Sequence, residues 1–238
     1  MRTPYGLEII ESCLICPLRH DRIFCDLPPR DLEALQAMSS LATYPRGSIL
    51  LVEGQESRGV FILCNGRVKL SAGSADGKSL IMRIAEPGEI IGLPGTISGK
   101  PYELTAEALE PLQANFIGRE SFLGFLRKHG DAALRIAQVL TDIYHATCQE
   151  VRYLGLCSSA AEKLARFLLD WNANHAGDSD GLRSVLTLTH EEIAEMLGTT
   201  RETVSRLFAD FKRQQLVDVR GASLVITDKL GLQQFLAS

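Results

Sequence analysis

The hydrophobic pattern of this chain changes period once, and that change limits what it can fold into. From about Thr43 to Ile117, short apolar runs alternate with glycine turns: Ser48 to Val52, Gly59 to Leu63, Arg67 to Leu70 and Leu80 to Ile84. Runs this short, punctuated by Gly47, Gly54, Gly73, Gly77, Gly88 and Gly92, read as antiparallel strands of a barrel or jelly roll. Asn65-Gly66 between two such runs predicts a type I′ hairpin, in which both central residues take positive φ. From about Glu120 to Leu156 there is no proline, and Ile136, Leu140, Ile143, Thr147, Val151 and Leu154 recur at steps of three and four. That is one face of a long helix, and the stripe needs a partner, either the chain's own barrel or a second protomer in a coiled coil. Helical periodicity resumes in Ala160 to Trp171, and the polar stretch Asn172 to Asp180 reads as a surface loop.

Composition narrows the function. The 238 residues are 45% hydrophobic, so most of the chain can bury a core. A net charge of −4 excludes a protein that coats nucleic acid or anionic membrane by bulk charge, so any such contact must be local. No apolar run is long enough to span a membrane and the first residues lack a signal-peptide core, which predicts a cytoplasmic protein without a membrane partner. The five histidines are scattered without a nucleophile beside them, and no phosphate-binding Gly-x-x-x-x-Gly-Lys-Ser/Thr occurs, so no enzyme is predicted.

The richest segment runs from Leu186 to Phe208. Thr189 and Glu192 make the T-x-x-E capping box that starts a helix, Gly198 is placed to end it, and Thr200 can cap a second. Ala194, Gly198 and Val204 carry helix-turn-helix spacing: a small residue at the helix contact, a glycine in the turn, an apolar anchor on the second helix. On that second helix Arg201, Glu202, Ser205 and Arg206 share a face, where arginine can pair with guanine and glutamate can accept from cytosine. The bland alternative is a solvated face with Glu202 paired to Arg206. From Thr199 to Gly221 five basic residues stand against three acidic ones, a local +2. Leu216 to Val219 and Ser223 to Ile226 predict a two-stranded wing, with Arg220 available to phosphates.

This order of parts, a glycine-punctuated β-roll, a long helix and a winged helix-turn-helix, resembles the cyclic-AMP receptor protein and anaerobic regulator (CRP/FNR) superfamily from about Leu27 to Leu236. Its most specific portion is Thr200 to Arg206, which matches the family's recognition-helix pattern. The resemblance implies an α+β chain with a cysteine-bearing segment (1–26), a β-roll sensor (27–119), a dimerisation helix (120–157) and a winged helix-turn-helix (158–238). It also implies a homodimer joined through the 136–154 stripe, binding double-stranded DNA at a near-palindrome with TGA-containing half-sites. Glu202 and Arg206 would contact that core, Thr200, Arg201, Ser205 and Arg220 would surround it, and RNA polymerase would be a further partner.

For the signal, Gly88 to Gly92 resembles the start of the family's phosphate-binding cassette. Leu93 stands where the ribose-binding glutamate belongs, and Glu103-Leu104 where an Arg-Ser pair meets the cyclic phosphate. A carboxylate there repels the anion, so cyclic AMP is not expected. Cys13, Cys16 and Cys25 lie where the oxygen-sensing branch carries its iron–sulfur cysteines, although the eight-residue gap between Cys16 and Cys25 is longer than that branch uses. Thiolates suit an iron–sulfur cluster such as [4Fe-4S], or zinc. The segment Ala108 to Phe116, where the family's fourth cysteine would lie, has none. Cys64 is the leading substitute, with His20 or an outside carboxylate as alternatives. A thiol switch, or another small molecule in the roll, would control the same DNA-binding regulator, and a protein-interaction module is the remaining class. Cys148 and Cys157 read as packed thiols.

Overall fold

The computed structural model describes residues 5–236 except 18, 21, 23, 76, 157–158 and 176–182, with backbone only at 150, 153–156, 174 and 183. Cys157, much of the polar loop and the Leu154 side chain therefore lie outside the described residues. Two compact units divide at 146/147, and each is described by itself.

In the first unit, a 3-10 turn (Cys13–Ile15) and α1 (Pro29–Met38) precede eight strands: β1 (Ser40–Tyr44), β2 (Ile49–Leu51), β3 (Gly59–Asn65), β4 (Val68–Gly73), β5 (Ser79–Ala85), β6 (Ile90–Ile91), β7 (Thr105–Ala108) and β8 (Leu112–Gly118), with α2 (Leu93–Ser98) between β6 and β7. They form two antiparallel sheets, in the orders β1-β8-β3-β6 and β2-β7-β4-β5. This is the expected jelly roll. β3 shows how the sheets are used, because its side chains alternate between two cores. Phe61 and Leu63 face Val68, Leu70, Leu112 and Ala114 between the sheets. Val60 and Ile62 face the other way, onto Leu27, Leu32, Leu35 and Phe122 of the flanking segments.

The expected hairpin at Asn65-Gly66 is not one. β3 pairs with β6 and β8 while β4 pairs with β5 and β7, so the connection crosses from one sheet to the other. Gly66 takes φ +77 but Asn65 stays at negative φ, which also excludes the type I′ turn. A Cβ on Gly66 would lie 2.6 Å from Leu112 Cβ and 2.7 Å from the Pro111 carbonyl oxygen. With both the left-handed backbone and a backbone clash to relieve, Gly66→Ala is expected to cost about 2–4 kcal/mol. The shift in urea midpoint measures it.

The long helical stretch is two helices. α3 (Arg119–Lys128) ends at His129, whose φ −122 and ψ 87 leave helical space, and α4 (Gly130–Leu156) starts afresh. His129 Nδ1 lies 2.8 Å from Asp31 of α1 and its ring stacks on Phe125 at 4.4 Å, so the break is pinned by packing. The stripe expected to join two protomers divides here between core and surface. Ile136 is 2% exposed in the core of its own unit and Leu140 packs against that core, so both are committed within the chain. The exposed face of α4 is instead Ala137, Thr141, Tyr144 and Val151, with half-buried Cys148 among them, at steps of four and three. Ile143 is half-buried and Thr147 exposed at the edge of that face.

In the second unit, α5 (Ala160–His175), α6 (His190–Leu197), α7 (Arg201–Arg213) and α8 (Lys229–Gln234) pack with a sheet ordered β10 (Val217–Arg220), β11 (Ser223–Ile226), β9 (Arg183–Val185). The wing therefore has a third strand that the sequence did not announce. Trp171 Nε1 donates to the Val185 carbonyl at 3.1 Å and ties β9 to α5.

Candidate nucleic-acid interface and cysteine cavity

The capping chemistry sets the two helices of the second unit. Thr189 accepts from the Glu192 N–H while the Glu192 carboxylate accepts from the Thr189 N–H, a complete capping box. Gly198 ends α6 at φ 62, and Thr200 caps α7 by accepting from the Thr203 N–H. Ala194 is 1% exposed and Val204 fully buried, as contact and anchor require.

That packing leaves Arg201, Glu202 and Arg206 exposed on α7. Among the described residues, none of the three makes an ion pair, so the Glu202–Arg206 pair of the bland alternative does not form. Ser205 differs. It is half-buried, and its hydroxyl lies 2.8 Å from His190 Nδ1, while the His190 ring stacks on Phe208 at 4.9 Å with the two planes nearly parallel. In the free protein that hydroxyl is engaged by α6, a partner fifteen residues away that no local pattern indicated. Arg220 reaches the wing tip with its side chain 86% exposed, its Nε 2.8 Å from Asp218. An ion pair that exposed is worth about 0–1 kcal/mol and yields readily to a phosphate.

In the first unit, a cavity of about 250 Å³ is lined by Cys13, Cys16, Cys25 and Cys64. It lies on the Ile62 side of the β1-β8-β3-β6 sheet, under the N-terminal segment and α1, not in the space between the sheets. The alternation of β3 explains Cys64: two residues beyond Ile62, it shares that face. It is also the extra residue of a bulge, since Leu63 pairs with Ala114 and Asn65 with Gln113. His20 does not line the cavity; its ring pairs with Asp26 at 3.1 Å and its side chain is 77% exposed.

Two carboxamides hold the segment that carries Cys13 and Cys16. Buried Gln113 of β8 accepts from the Ile10 N–H at 2.8 Å and donates to the Ile10 carbonyl at 2.7 Å, imitating a neighbouring strand. Gln36 of α1 accepts from the Cys13 N–H at 3.0 Å and from the Ser12 hydroxyl at 3.1 Å. Asn115 of β8 donates from its side-chain amide to Cys64 Sγ at 3.3 Å. Sequence reasoning missed these three amides. Gln113 and Asn115 did leave a trace, as polar residues two apart in an apolar strand and hence on one face.

Burial favours the protonated form of three of these thiols, Cys13, Cys25 and Cys64. Burial pushes Cys25 up to about 12, neighbouring Cys16 and Cys13 add to that, and Arg22 opposes it. Burial likewise pushes Cys64 up to about 12, with the other three thiols acting in the same direction and the Asn115 main-chain N–H opposing. Cys13 is raised by burial and then by Cys16. A cation among these sulfurs removes both penalties and releases protons. Among the described residues, no three His, Cys, Asp or Glu side chains are grouped closely enough to hold one metal ion. A single zinc would need its sulfurs about 3.8 Å apart, from Zn–S bonds of about 2.3 Å.

Residues 41–129 match the cyclic nucleotide-binding domain model, and residues 162–235 the Crp-like helix-turn-helix domain model. The chain is 27% identical over 228 residues to the transcriptional activator protein FnrL of Cereibacter sphaeroides, covering 92% of this chain and 90% of that one. It is 26% identical over 208 residues to a CRP-like cAMP-activated global transcriptional regulator of Mycobacterium tuberculosis, covering 87% and 92%. Among solved structures, CooA from Carboxydothermus hydrogenoformans superimposes with a TM-score of 0.74 at 24% identity, over 96% of this chain and 97% of that one. FixK2 from Bradyrhizobium japonicum does so with 0.73 at 22% identity, over 83% and 96%.

Proposed function

The chain belongs to the CRP/FNR family of DNA-binding transcription regulators, and from that premise we propose that it is a homodimer whose DNA binding is set by an iron–sulfur cluster on Cys13, Cys16, Cys25 and Cys64. One observation carries the choice of signal: four thiols as far apart as residues 13 and 64 line a single cavity. A cluster of the [4Fe-4S] type there would supply a centre that oxygen or nitric oxide dismantles. The protein's part is to bring the thiols together. Gln113 and Gln36 dock the Cys13 and Cys16 segment, and the β3 bulge presents Cys64. The docked segment touches the long helix as well, because Asp26, next to Cys25, lies 3.4 Å from Arg135 of α4. Occupying the cavity favours the docked arrangement, so ordering reaches α4 and the dimer by differential binding.

A cyclic nucleotide is not the signal on this reading, although one of the two matching domain models carries that name. Leu93 is fully buried and Glu103 exposed at the positions where the resemblance calls for ribose and phosphate contacts. Thr200, Arg201, Glu202, Ser205 and Arg206 read a TGA-containing half-site, with Arg220 on phosphate, the exposed stripe of α4 joins two protomers, and RNA polymerase is the further partner. No helix among the described residues is long and apolar enough to cross a membrane.

The test is iron, sulfide and zinc content with a visible spectrum on protein purified without oxygen. The expected result is about four irons and four sulfides per chain, bleaching in air. One zinc per chain, or no metal, overturns the cluster.

A further inference from the structure

Strand β8, paired with β3, faces the cavity that the four cysteines line. It does so with Asn115, 7% exposed, which lines the cavity beside Cys64. The two residues stand on paired strands, Asn115 opposite Ile62 in the β3/β8 ladder and Cys64 just beyond it. The amide of Asn115 points at the Cys64 sulfur from 3.3 Å. A buried amide that spends a donor on a sulfur, a weak acceptor, is placed there by the cavity rather than by a better partner.

We propose that Asn115 is the positioning residue of the fourth thiolate: its carboxamide fixes the Cys64 sulfur at the cavity, and the β3/β8 pair can present that thiolate from either strand. The proposal rests on the reading of the cavity as a cluster site and adds which residue holds the fourth ligand. An N–H donated to a sulfur stabilises its anionic form, so removing it weakens ligation without removing the ligand. Outer-shell partners of this kind typically govern about 10–100-fold in metal affinity.

The experiment has two arms. In the metal-free chain, the Asn115 side-chain amide resonance is identified by its loss in Asn115→Leu. It is expected to shift in Cys64→Ser and to stay put in Cys148→Ser; an amide indifferent to Cys64 overturns the contact, whatever the chain binds. In the second arm, iron and sulfide are counted after anaerobic reconstitution. Cys64→Ala is expected to lose most of both, Cys64→Ala/Asn115→Cys to regain the wild-type content, and Asn115→Leu to load but surrender iron to a chelator about 10–100-fold more readily. A double variant as empty as Cys64→Ala, while Asn115→Cys alone loads fully, overturns the exchange of strands and shows that the fold tolerates the substitution. A wild-type chain that takes up neither iron nor sulfide overturns the cluster reading instead, and the amide resonance separates that failure from failure of the Asn115 contact.

Discussion

Arg206→Ala is expected to cut sequence discrimination severely while leaving the protein folded and its weak, non-specific DNA binding nearly intact. Arg206 is exposed on α7 with no ion pair among the described residues, so the change in stability should stay within about 0.5 kcal/mol. A bidentate arginine–guanine pair contributes about 1–3 kcal/mol of discrimination, and a dimer on a near-palindrome makes it twice, giving about 2–6 kcal/mol in all. Titration against a TGA-containing palindrome and a scrambled duplex at one salt concentration measures both quantities. Equal losses on the two duplexes would demote Arg206 to a phosphate contact. Ser205→Ala should cost less than Arg206→Ala, because the Ser205 hydroxyl must first leave His190, 2.8 Å away, to meet a base.

The second large effect concerns the dimer. Tyr144, 65% exposed, sits in the middle of the outward stripe of α4. In a parallel pair of helices it faces its own copy, so Tyr144→Glu sets two carboxylates against each other in a desolvated seam at a cost of several kcal/mol. Dimer dissociation is expected to rise at least about 100-fold, and palindrome affinity falls with it because the second half-site is no longer tethered. Ile136→Ala should do the reverse. Its side chain is 2% exposed inside one unit, so the loss is about 2–5 kcal/mol of folding stability with the dimer constant little changed. Sedimentation of both variants decides between the two faces; a dimer weakened by Ile136→Ala and indifferent to Tyr144→Glu restores the stripe first expected from the sequence.

That stripe shows why periodicity gave the helix but not its faces. Ile136, Leu140 and Val151 obey one helical repeat, yet the first two serve the roll and the last is 63% exposed. An apolar residue reports that something covers it, not what. The helix-turn-helix was legible in detail because Thr189, Glu192, Gly198 and Thr200 act on backbone groups at most a turn away. Asn65-Gly66 misled for the opposite reason: a glycine needed for a crossing between sheets looks the same as one needed for a hairpin, and only the partners of β3 and β4 distinguish them. Of the cysteine site, the four thiols could be named from the sequence, but Gln36, Gln113 and Asn115 could not. The bonds of Gln113 to Ile10 span 103 residues, and side-chain amides carry no spacing rule.

That same separation orders events during synthesis. The Ile10 segment cannot dock before Gln113 has left the ribosome, which at about 5–20 residues per second is roughly 5–20 s after Ile10 itself emerges. Throughout that interval Cys13 and Cys16 ride on an undocked stretch of nascent chain, while Cys64 waits for the neighbouring strand β8. The last-made strand of the roll closes over a segment synthesised 103 residues before it, so the cavity is completed only after β8 has emerged.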